Sequence, residues 1–348
     1  MIRLGIVGCN YGRLVHLPAF RAGGQWEVVA LAGSNVVRTA ELARQAGVPM
    51  SFGDWKPLVD DEQVEAVAVA TPPHLQPAIA VRALGLGKPV FLEKPLAVDL
   101  VGAAAIRQAA SSSCPAMVDF EFPEIVAWRE AKALLDAGAI GDLRHLVISW
   151  NVENTATRLR LRNWKTSRAA GGGVLGNFVC HSLHYIEWFG GPVRGLSARL
   201  FGLPNGNTDE ESTAVLALAF ESGAGTSLTV SCASYAGSGH RLEFYGEDGT
   251  LMLANDGPDY MRGFKLMLAK RPNGFAPVPA HDELDAGFPD GRIAPVARLA
   301  ARFFNAIKKG APAVPGLAEG YRVQRLLEAA RRSHELGRWI DGASKVPQ

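Results

Sequence analysis

The tripeptide Glu93-Lys94-Pro95 combines a carboxylate, an ammonium group and a residue that restricts the backbone. It follows the apolar run 90–92, which predicts a short buried strand. In doubly wound α/β sheets, ligands bind in the crevice at the carboxyl ends of the parallel strands. We therefore expect Lys94 to point toward a ligand. Pro95, which lacks a backbone donor and can follow a cis peptide bond, would help to direct it.

A turn near the start of the chain supplies a second part of such a site. The apolar residues 2–7 predict a strand, a helix is predicted through residue 20, and between them lies Gly8-Cys9-Asn10-Tyr11-Gly12. This order presents free backbone N–H groups at a helix N-terminus, where a pyrophosphate can bind. Asn10 stands where the usual fingerprint has its middle glycine, and asparagine tolerates the left-handed backbone region better than most residues. The pattern predicts a dinucleotide site that brings a nicotinamide ring close to Lys94.

The first 121 residues alternate predicted strands with predicted helices. Strands are expected at 26–32 and 64–70, with an amphipathic helix at 36–46 between them. This rhythm is typical of βαβ units. We therefore expect residues 1–121 to form a Rossmann domain with a doubly wound parallel sheet.

The pattern changes after residue 121. Residues 143–152 predict a long strand, and hairpins are expected around Ser222-Gly223 and Asp248-Gly249, whereas 272–289 is expected to be a surface loop. Residues 122–348 should form an α+β domain with a large open, mostly antiparallel sheet that binds substrate. The C-terminal helix, 317–336, is expected to pack back on the first domain. An open sheet needs a cover, so a homodimer or homotetramer formed through this sheet is expected.

Composition restricts the class of protein. The 348 residues carry a formal net charge of only +2, which argues against nucleic acid as a partner. No apolar run reaches the length of a membrane span, and no signal peptide is recognisable. The four cysteines are scattered, as in a reducing compartment, so we expect a cytoplasmic enzyme with a small-molecule substrate.

A second group of polar residues lies after Gly171-Gly172-Gly173. Asn177, His181 and His184 are spaced four and three apart on a predicted helix and would share a face. His181 is a candidate acid/base, because imidazole titrates near neutrality, and the alternative is a core histidine. A metal site drawing on Cys180 with the two histidines lacks a fourth ligand, so no metal is predicted.

These motifs, in this order, resemble the glucose–fructose oxidoreductase / inositol dehydrogenase family, often written Gfo/Idh/MocA. The resemblance rests on the glycine turn with His16 after it, on Thr71-Pro72-Pro73, on Glu93-Lys94-Pro95, and on the glycines before His181. It implies a nicotinamide cofactor bound near Thr71, Pro72 and Glu93, and hydride transfer at a hydroxyl or keto carbon of a sugar, cyclitol or related polyol. It also implies that Lys94 orients and polarises the substrate oxygen and that His181 moves its proton.

Several positions differ from the family pattern. Asn177 and His184 stand where relatives commonly have aspartates, and Gln76 where a histidine is frequent. An amide at 177 can bind a substrate hydroxyl but cannot accept its proton. Relatives commonly have an asparagine–arginine cluster where this chain has the acids Asp119, Glu121 and Glu124. Glu121 would either face the cofactor pocket or be a solvated loop acid.

The end of the second predicted strand bears on cofactor choice. An acid there would bind the adenosine ribose and favour NAD. The chain instead reads Ala32-Gly33-Ser34-Asn35, and Arg38 follows, so NADP is expected, with NAD as the alternative.

The resulting expectation is an NAD(P)-dependent dehydrogenase or reductase with Lys94, His181 and Asn177 in its catalytic site. One alternative is a non-catalytic dinucleotide-binding sensor or regulator, which the missing aspartate at 177 would favour. Another is a redox-assisted glycoside-cleaving enzyme that recycles its cofactor within each turnover.

A basic segment, which could recognise an acidic substrate group, contains Arg158, Arg160, Arg162, Lys165 and Arg168.

Overall fold

Uninterrupted apolar runs in the N-terminal part of the chain form strands that are buried on both faces, as parallel sheets require. The computed structural model describes residues 1–111, 114–203 and 211–343. Contacts between Cα atoms divide the chain into two units. The first comprises Met1–Glu121 and Gly287–Tyr321, and the second comprises Phe122–Ala286 and the chain from Arg322 onward.

The elements are numbered in chain order. The strands are β1 (Ile2–Val7), β2 (Trp26–Ala32), β3 (Met50–Phe52), β4 (Ala66–Val69), β5 (Val90–Leu92), β6 (Ala116–Val118), β7 (Leu143–Asn151), β8 (Val193–Gly202), β9 (Glu211–Phe220), β10 (Gly225–Ser231), β11 (Gly239–Gly246), β12 (Gly249–Asn255), β13 (Lys265–Lys270), β14 (Phe275–Val278) and β15 (Ile340–Asp341). The α-helices are α1 (Leu17–Ala22), α2 (Val36–Gln45), α3 (Trp55–Asp60), α4 (Gln76–Gly85), α5 (Leu100–Ala109), α6 (Val126–Asp136), α7 (Thr155–Arg158), α8 (Cys180–Gly190), α9 (Glu283–Ala286), α10 (Ile293–Lys309) and α11 (Leu317–Leu336).

The first unit contains a parallel sheet in the order β3-β2-β1-β4-β5-β6, which confirms the predicted Rossmann architecture. The strand order reverses beside β1, so the carboxyl ends of β1 and β4 flank the crevice in which such folds bind ligands. Two of these strands, β3 and β6, were not predicted. Each has only three residues, and no motif follows either strand to mark it, whereas the equally short β5 is marked by Glu93-Lys94-Pro95.

Helix α10 belongs to the core of the first unit. The Trp26 ring stacks on Phe303 at 5.4 Å and 14°, and its indole N–H donates to the carbonyl oxygen of Ala300 at 3.1 Å. The sequence-based division had placed residues 287–321 in the second domain, and in the structure they group with the first unit. Apolar residues of α10 pack in the core around β1 and β2. The first turn of α11 also groups with the first unit, where a Cβ on Gly320 would lie 2.7 Å from the Leu96 side chain. The packing of the rest of the last helix on the first domain stays a prediction.

The second unit contains a nine-stranded sheet in the order β14-β13-β12-β11-β7-β10-β9-β8-β15. Only the β7–β10 pair is parallel, so the predicted mostly antiparallel sheet is confirmed. Both predicted hairpins are present, as β9–β10 and β11–β12. The expected surface loop at 272–289 is wrong in part, because it contains β14 and α9.

One face of this sheet is buried and the other is accessible. Alternate residues of β9 are buried, whereas Val215 between them is 43% exposed. No helix in the described part of the chain is long and apolar enough to cross a membrane.

Candidate functional site

The first turn of the Rossmann unit has the backbone geometry that its glycines predict. Gly8 has φ +121°, and a Cβ built on it would lie 2.2 Å from the carbonyl oxygen of Ala70. A Cβ on Gly12 would lie 2.7 Å from the Ile6 side chain. Both positions therefore require glycine, since any larger residue would push the turn away from the sheet.

Asn10 occupies the turn without the left-handed conformation that had been considered for it. The non-glycine residues with positive φ in the described chain are Arg160 and Ala236. Asn10 is exposed, and its carbonyl oxygen accepts a hydrogen bond from the Leu14 N–H at 2.9 Å. The residue thus precedes a continuous helical segment, Gly12–His16 followed by α1, and a helix N-terminus favours an anion.

The end of β2 presents a neutral, exposed surface. Asn35 caps α2, because its side-chain oxygen accepts a hydrogen bond from the Arg38 N–H at 2.9 Å. Ser34, Asn35 and Arg38 are all exposed. A Cβ at Gly33 would collide with the Cys9 sulfur at 2.5 Å, which explains the glycine.

The Glu93-Lys94-Pro95 segment leaves the carboxyl end of β5, as predicted. The Glu93 N–H still donates to the Val69 carbonyl oxygen at 3.0 Å, and the Lys94–Pro95 peptide bond is cis. Lys94 is partly exposed. Thr71 and Pro72, at the end of the neighbouring β4, are partly exposed as well.

A buried cluster of one histidine and two carboxylates surrounds the base of this segment. The Nε2 atom of His16 lies 2.9 Å from Glu93 Oε1 and 3.1 Å from Asp119 Oδ2. His16 and Asp119 have completely buried side chains, and that of Glu93 is 14% exposed. Each residue follows a strand of the parallel sheet, so the topology brings together groups that are up to 103 residues apart in sequence.

The electrostatics of this cluster favour a protonated imidazole. Burial by itself lowers the pKa of His16, but the hydrogen bonds to Asp119 and Glu93, together with their charges, raise it to about 9. Burial and then the Glu93 charge raise the pKa of Asp119 to about 7. For Glu93, burial opposes ionisation, but the hydrogen bond and charge of His16 outweigh it and lower the pKa. His16 therefore carries a positive charge that Glu93 balances, and Asp119 titrates near neutrality.

Glu121 is not a solvated loop acid, contrary to one of the two sequence-based alternatives. It is 3% exposed, and burial followed by the nearby Asp119 charge raises its pKa well above the ordinary value. The Lys94 charge opposes this shift, which places the ammonium group in the same electrostatic environment. Glu124 is buried too. A neutral carboxyl group at 121 can donate a hydrogen bond as well as accept one.

In the second unit, the glycine segment before α8 packs against backbone. A Cβ on Gly172 would lie 2.2 Å from the Trp164 carbonyl oxygen, and one on Gly176 would lie 1.9 Å from that of Gly171. The Asn177 side-chain amide donates to the carbonyl oxygens of Lys165 and Gly173 at 2.8 and 2.9 Å. Both amide hydrogens of Asn177 are therefore used to hold the loop before the helix.

His181 lies among aromatic rings of the same unit. It is 6% exposed, and its ring meets Phe122 edge-on at 5.1 Å and Trp150 at 6.2 Å. His184 has a different environment, because burial and then the Arg322 charge lower its pKa to about 3. His184 is therefore neutral at physiological pH, which suits a packing role better than proton transfer.

The cysteine–histidine group weighed as a metal site has another explanation. The Cys180 thiol is buried and donates to the Gly176 carbonyl oxygen at 2.8 Å, in the helical turn that precedes α8. Among the described residues, the only set of histidine, cysteine and acidic side chains close enough to hold an ion is His16, Glu93 and Asp119. The hydrogen bonds between His16 and the two carboxylates explain why these three side chains lie so close together.

Sequence reasoning missed a buried chain of hydrogen bonds next to His181. The Ser182 hydroxyl lies 2.8 Å from the Tyr185 hydroxyl, which lies 2.9 Å from His240 Nε2. His240 is separated from Tyr185 by 55 residues, and no local pattern connects them. The basic segment is also partly accounted for, because Arg168 pairs with Glu335 at 2.9 Å.

Two family models match this chain. Residues 2–120 match the model described as "Oxidoreductase family, NAD-binding Rossmann fold", and residues 128–252 match the "GFO/IDH/MocA C-terminal domain". Together the two matches cover more than half of the chain, and they fall on the parallel sheet and on most of the segment 122–286 of the second unit.

Several relatives match over nearly the whole length of the chain. The chain is 28% identical to an uncharacterized oxidoreductase of Synechocystis sp., with coverage of 97% of this chain and 95% of the relative. It is 25% identical to levoglucosan dehydrogenase of Pseudarthrobacter phenanthrenivorans (100% and 98%) and 26% identical to inositol 2-dehydrogenase 1 of Saccharopolyspora erythraea (97% and 95%). A solved structure of levoglucosan dehydrogenase in complex with NADH superposes with a TM-score of 0.87 at 24% identity, over 100% of this chain and 99% of that one. The chain belongs to the Gfo/Idh/MocA family of NAD-binding oxidoreductases.

Proposed function

We propose that this chain is a dehydrogenase or reductase that uses a nicotinamide dinucleotide and acts on a hydroxyl or keto carbon of a sugar, cyclitol or related polyol. The main support is Lys94 at the carboxyl end of β5, anchored beside a buried charged cluster in a family of oxidoreductases. The names of two full-length relatives, levoglucosan dehydrogenase and inositol 2-dehydrogenase 1, support the substrate class.

The first unit fits a dinucleotide. The close approach of Gly8 to Ala70 leaves no room for a side chain, and the helical segment Gly12–His16 begins directly after this turn. The first N–H groups of a helix have no partner within the helix and favour an anion. The residues proposed to hold the cofactor are Gly8, Asn10, Tyr11, Gly12, Ser34, Arg38, Thr71, Pro72, Glu93 and Lys94. A bound nicotinamide supplies the hydride acceptor or donor.

Three side chains are proposed to act on the substrate. The Lys94 ammonium group would polarise the reacting oxygen, a role that needs a cation held close to it. His181 would exchange a proton with that oxygen. Asn177 would accept a hydrogen bond from a neighbouring hydroxyl through its oxygen, since its amide hydrogens bind Lys165 and Gly173.

NADP is the proposed cofactor. The end of β2 offers Ser34 and Asn35 where an acid would repel a 2′-phosphate, and the exposed Arg38 can pair with that phosphate. The family description and the NADH complex of a relative support NAD binding in general, so NAD is the alternative.

A homodimer or homotetramer is proposed to form through the accessible face of the nine-stranded sheet. Apart from Glu211 at the start of β9, the outward positions of the neighbouring strands β9 and β10 are uncharged: Thr213, Val215, Ala217, Ala219, Gly225, Ser227 and Thr229. Such a flat, uncharged face fits a second copy of itself. Light scattering after chromatography should show a dimer or tetramer, and Val215→Glu should reduce its size. Val101→Glu, on an exposed residue of the first unit, should not. A wild-type monomer would refute the proposal.

A cytoplasmic location is proposed because all four cysteines are free thiols, which suits a reducing compartment. Fractionation of cells that express the native gene should recover the protein with cytosolic markers. Recovery outside the cytosol would contradict this proposal.

Binding and turnover together test the function. NADPH and NADH should be titrated against the protein by fluorescence and calorimetry, followed by a screen of polyols and keto sugars. Tight binding with turnover supports the proposal. Binding without hydride exchange, together with a co-purifying protein, would favour a regulator. Substrate consumption without net change in nicotinamide absorbance would favour redox-assisted glycoside cleavage.

A further inference from the structure

The Lys94 segment is held by buried side chains on both of its sides. On one side, the Glu93 carboxylate binds His16 Nε2 at 2.9 Å. On the other, the Gln76 side-chain amide donates to the carbonyl oxygen of Pro95 at 2.7 Å. Lys94 lies between these two anchored residues, and the Glu93 N–H adds a backbone bond to β4.

Both anchors are rigid. His16 and Gln76 have no exposed surface. Aromatic rings enclose His16 on several sides, with Tyr11 at 5.2 Å, Phe91 at 5.3 Å and Phe20 at 6.1 Å between centroids. A hydrogen bond in such a low-dielectric environment is stronger than in water, and a packed side chain cannot easily take another rotamer.

Asp119 couples this arrangement to pH. Its Oδ2 atom shares His16 Nε2 with Glu93, so two carboxylates meet one imidazolium N–H. The other charged or titratable groups that act on them are Lys94 and Glu121. When Asp119 is protonated, its carboxyl O–H can donate a hydrogen bond directly to the Glu93 carboxylate. When Asp119 loses this proton, two carboxylates surround the one imidazolium cation.

We propose that His16 and Gln76 are positioning residues for Lys94. His16 acts through the Glu93 carboxylate, and Gln76 acts through the carbonyl oxygen of Pro95. Asp119 sets the charge of the His16 anchor. The proposal rests on the role of Lys94 in the proposed function. It gives a task to the buried Gln76 amide, which donates to a carbonyl oxygen as an imidazole N–H at that position also could.

The physical reason is the geometric demand of the reaction. A catalytic cation must be held within a fraction of an ångström of its target, and a displacement of about 1 Å can cost about 100-fold in rate. Removing one anchor would leave Lys94 in the protein but widen its range of positions. The dinucleotide-binding turn at Gly8 would be untouched.

The first test removes the Gln76 anchor. Gln76→Leu should lower kcat about 10- to 100-fold with little change in dinucleotide affinity. Gln76→His should retain most of the rate, because it keeps a donor. The matched control is Gln324→Leu in the second unit. Gln324 is 1% exposed, and its amide has no hydrogen-bond partner among the described residues, so the rate should not change. Equal rates for Gln76→Leu and Gln324→Leu would overturn the proposal.

The second test uses the charge of the His16 anchor. The wild-type pH–rate profile should contain an ionisation near the Asp119 pKa of about 7, and Asp119→Asn should remove it. In NMR spectra of ¹⁵N-histidine-labelled protein, the His16 signal is the one that disappears in His16→Gln. In the wild type this signal should remain that of an imidazolium past pH 8. An unchanged profile in Asp119→Asn, or a neutral His16 at pH 7, would contradict the charge assignment.

A third readout needs no turnover, so it separates this proposal from the proposed function. The rate at which an acylating reagent labels Lys94, measured by peptide mass spectrometry, should rise in Gln76→Leu and His16→Gln but not in Gln324→Leu. If no polyol is turned over, the proposed function fails. The labelling rates still show whether His16 and Gln76 hold Lys94 in place. Equal labelling in all four proteins would refute the anchoring alone.

Discussion

The imidazole of His240 lies flat on the indole of Trp150, with ring centroids 4.4 Å apart and an angle of 5° between the planes. Trp150 also contacts His181, so this stacked pair forms part of the support of the proposed acid/base. Burial lowers the pKa of His240 to about 3, and the ring is therefore neutral under most conditions. The aromatic cluster thus depends on a histidine that must not be protonated.

Acid should destabilise the second unit through His240. The unfolded chain binds a proton near the ordinary pKa of 6.5, whereas the folded state resists it down to about 3. Stability contributed by the neutral ring is therefore present above pH 6.5 and is lost as pH falls toward 3, by roughly 5 kcal/mol in total. Urea midpoints at pH 7.5 and 5 should differ less in His240→Gln than in the wild type. An equal difference would contradict the assignment.

Alkaline pH should weaken the first unit through His16. Its folded pKa of about 9 lies above the ordinary 6.5, so the stabilisation is complete below pH 6.5 and is lost as pH rises through 9. Thermal unfolding of the wild type should therefore shift to lower temperature between pH 7 and 9.5, whereas His16→Gln should be less stable at pH 7 and less sensitive to this change. A steeper loss in the variant would show that the sign is wrong.

Gly8→Ala should damage the dinucleotide turn. The new methyl group would lie 2.2 Å from the Ala70 carbonyl oxygen at a φ of +121°. We expect a loss of roughly 2–4 kcal/mol in stability and weaker nucleotide binding. Gly24→Ala is the matched control, because Gly24 also has positive φ (+62°) but nothing lies within 4 Å of its Cβ position. Similar losses in both variants would mean that backbone strain alone is responsible.

Cofactor preference should depend on the end of β2. Arg38→Ala removes the proposed partner of a 2′-phosphate, and Ser34→Asp adds a charge that repels it. Both variants should weaken NADPH binding about 10-fold or more relative to NADH, since a charged hydrogen bond contributes roughly 1.5–3 kcal/mol. Calorimetric titration of both cofactors measures this ratio. An unchanged ratio in both variants would refute the role of Ser34 and Arg38.

The architecture was predictable where local pattern determines structure. The apolar run of β4 and the turn residues between β9 and β10 indicated a parallel sheet followed by antiparallel hairpins. The three-residue strands β3 and β6 were not recognised, because no motif follows them as Glu93-Lys94-Pro95 follows the equally short β5. The grouping of α10 with the first unit depends on the contact between Trp26 and Phe303, which only the folded chain brings together.

The candidate site was predictable where a single residue carries the motif, as for Lys94 and the Gly8 turn. Sequence could not show that His16 binds Asp119, because 103 residues separate them. Nor could it show that Glu121 is buried, since an acid near the end of a strand is usually solvated. Sequence also could not show the contacts of Asn177. An amide on this helix face suggested substrate binding, whereas its two amide hydrogens hold the loop before α8.

The most direct test of the account is the transfer of deuterium from a carbon-deuterated polyol to the oxidised nicotinamide, measured by mass spectrometry of the cofactor. Wild-type protein should place deuterium on the nicotinamide, and Lys94→Ala should lower the rate by orders of magnitude while still binding the cofactor. Near-wild-type transfer in Lys94→Ala would remove Lys94 from the mechanism. Bound cofactor without transfer from any polyol would contradict the dehydrogenase assignment.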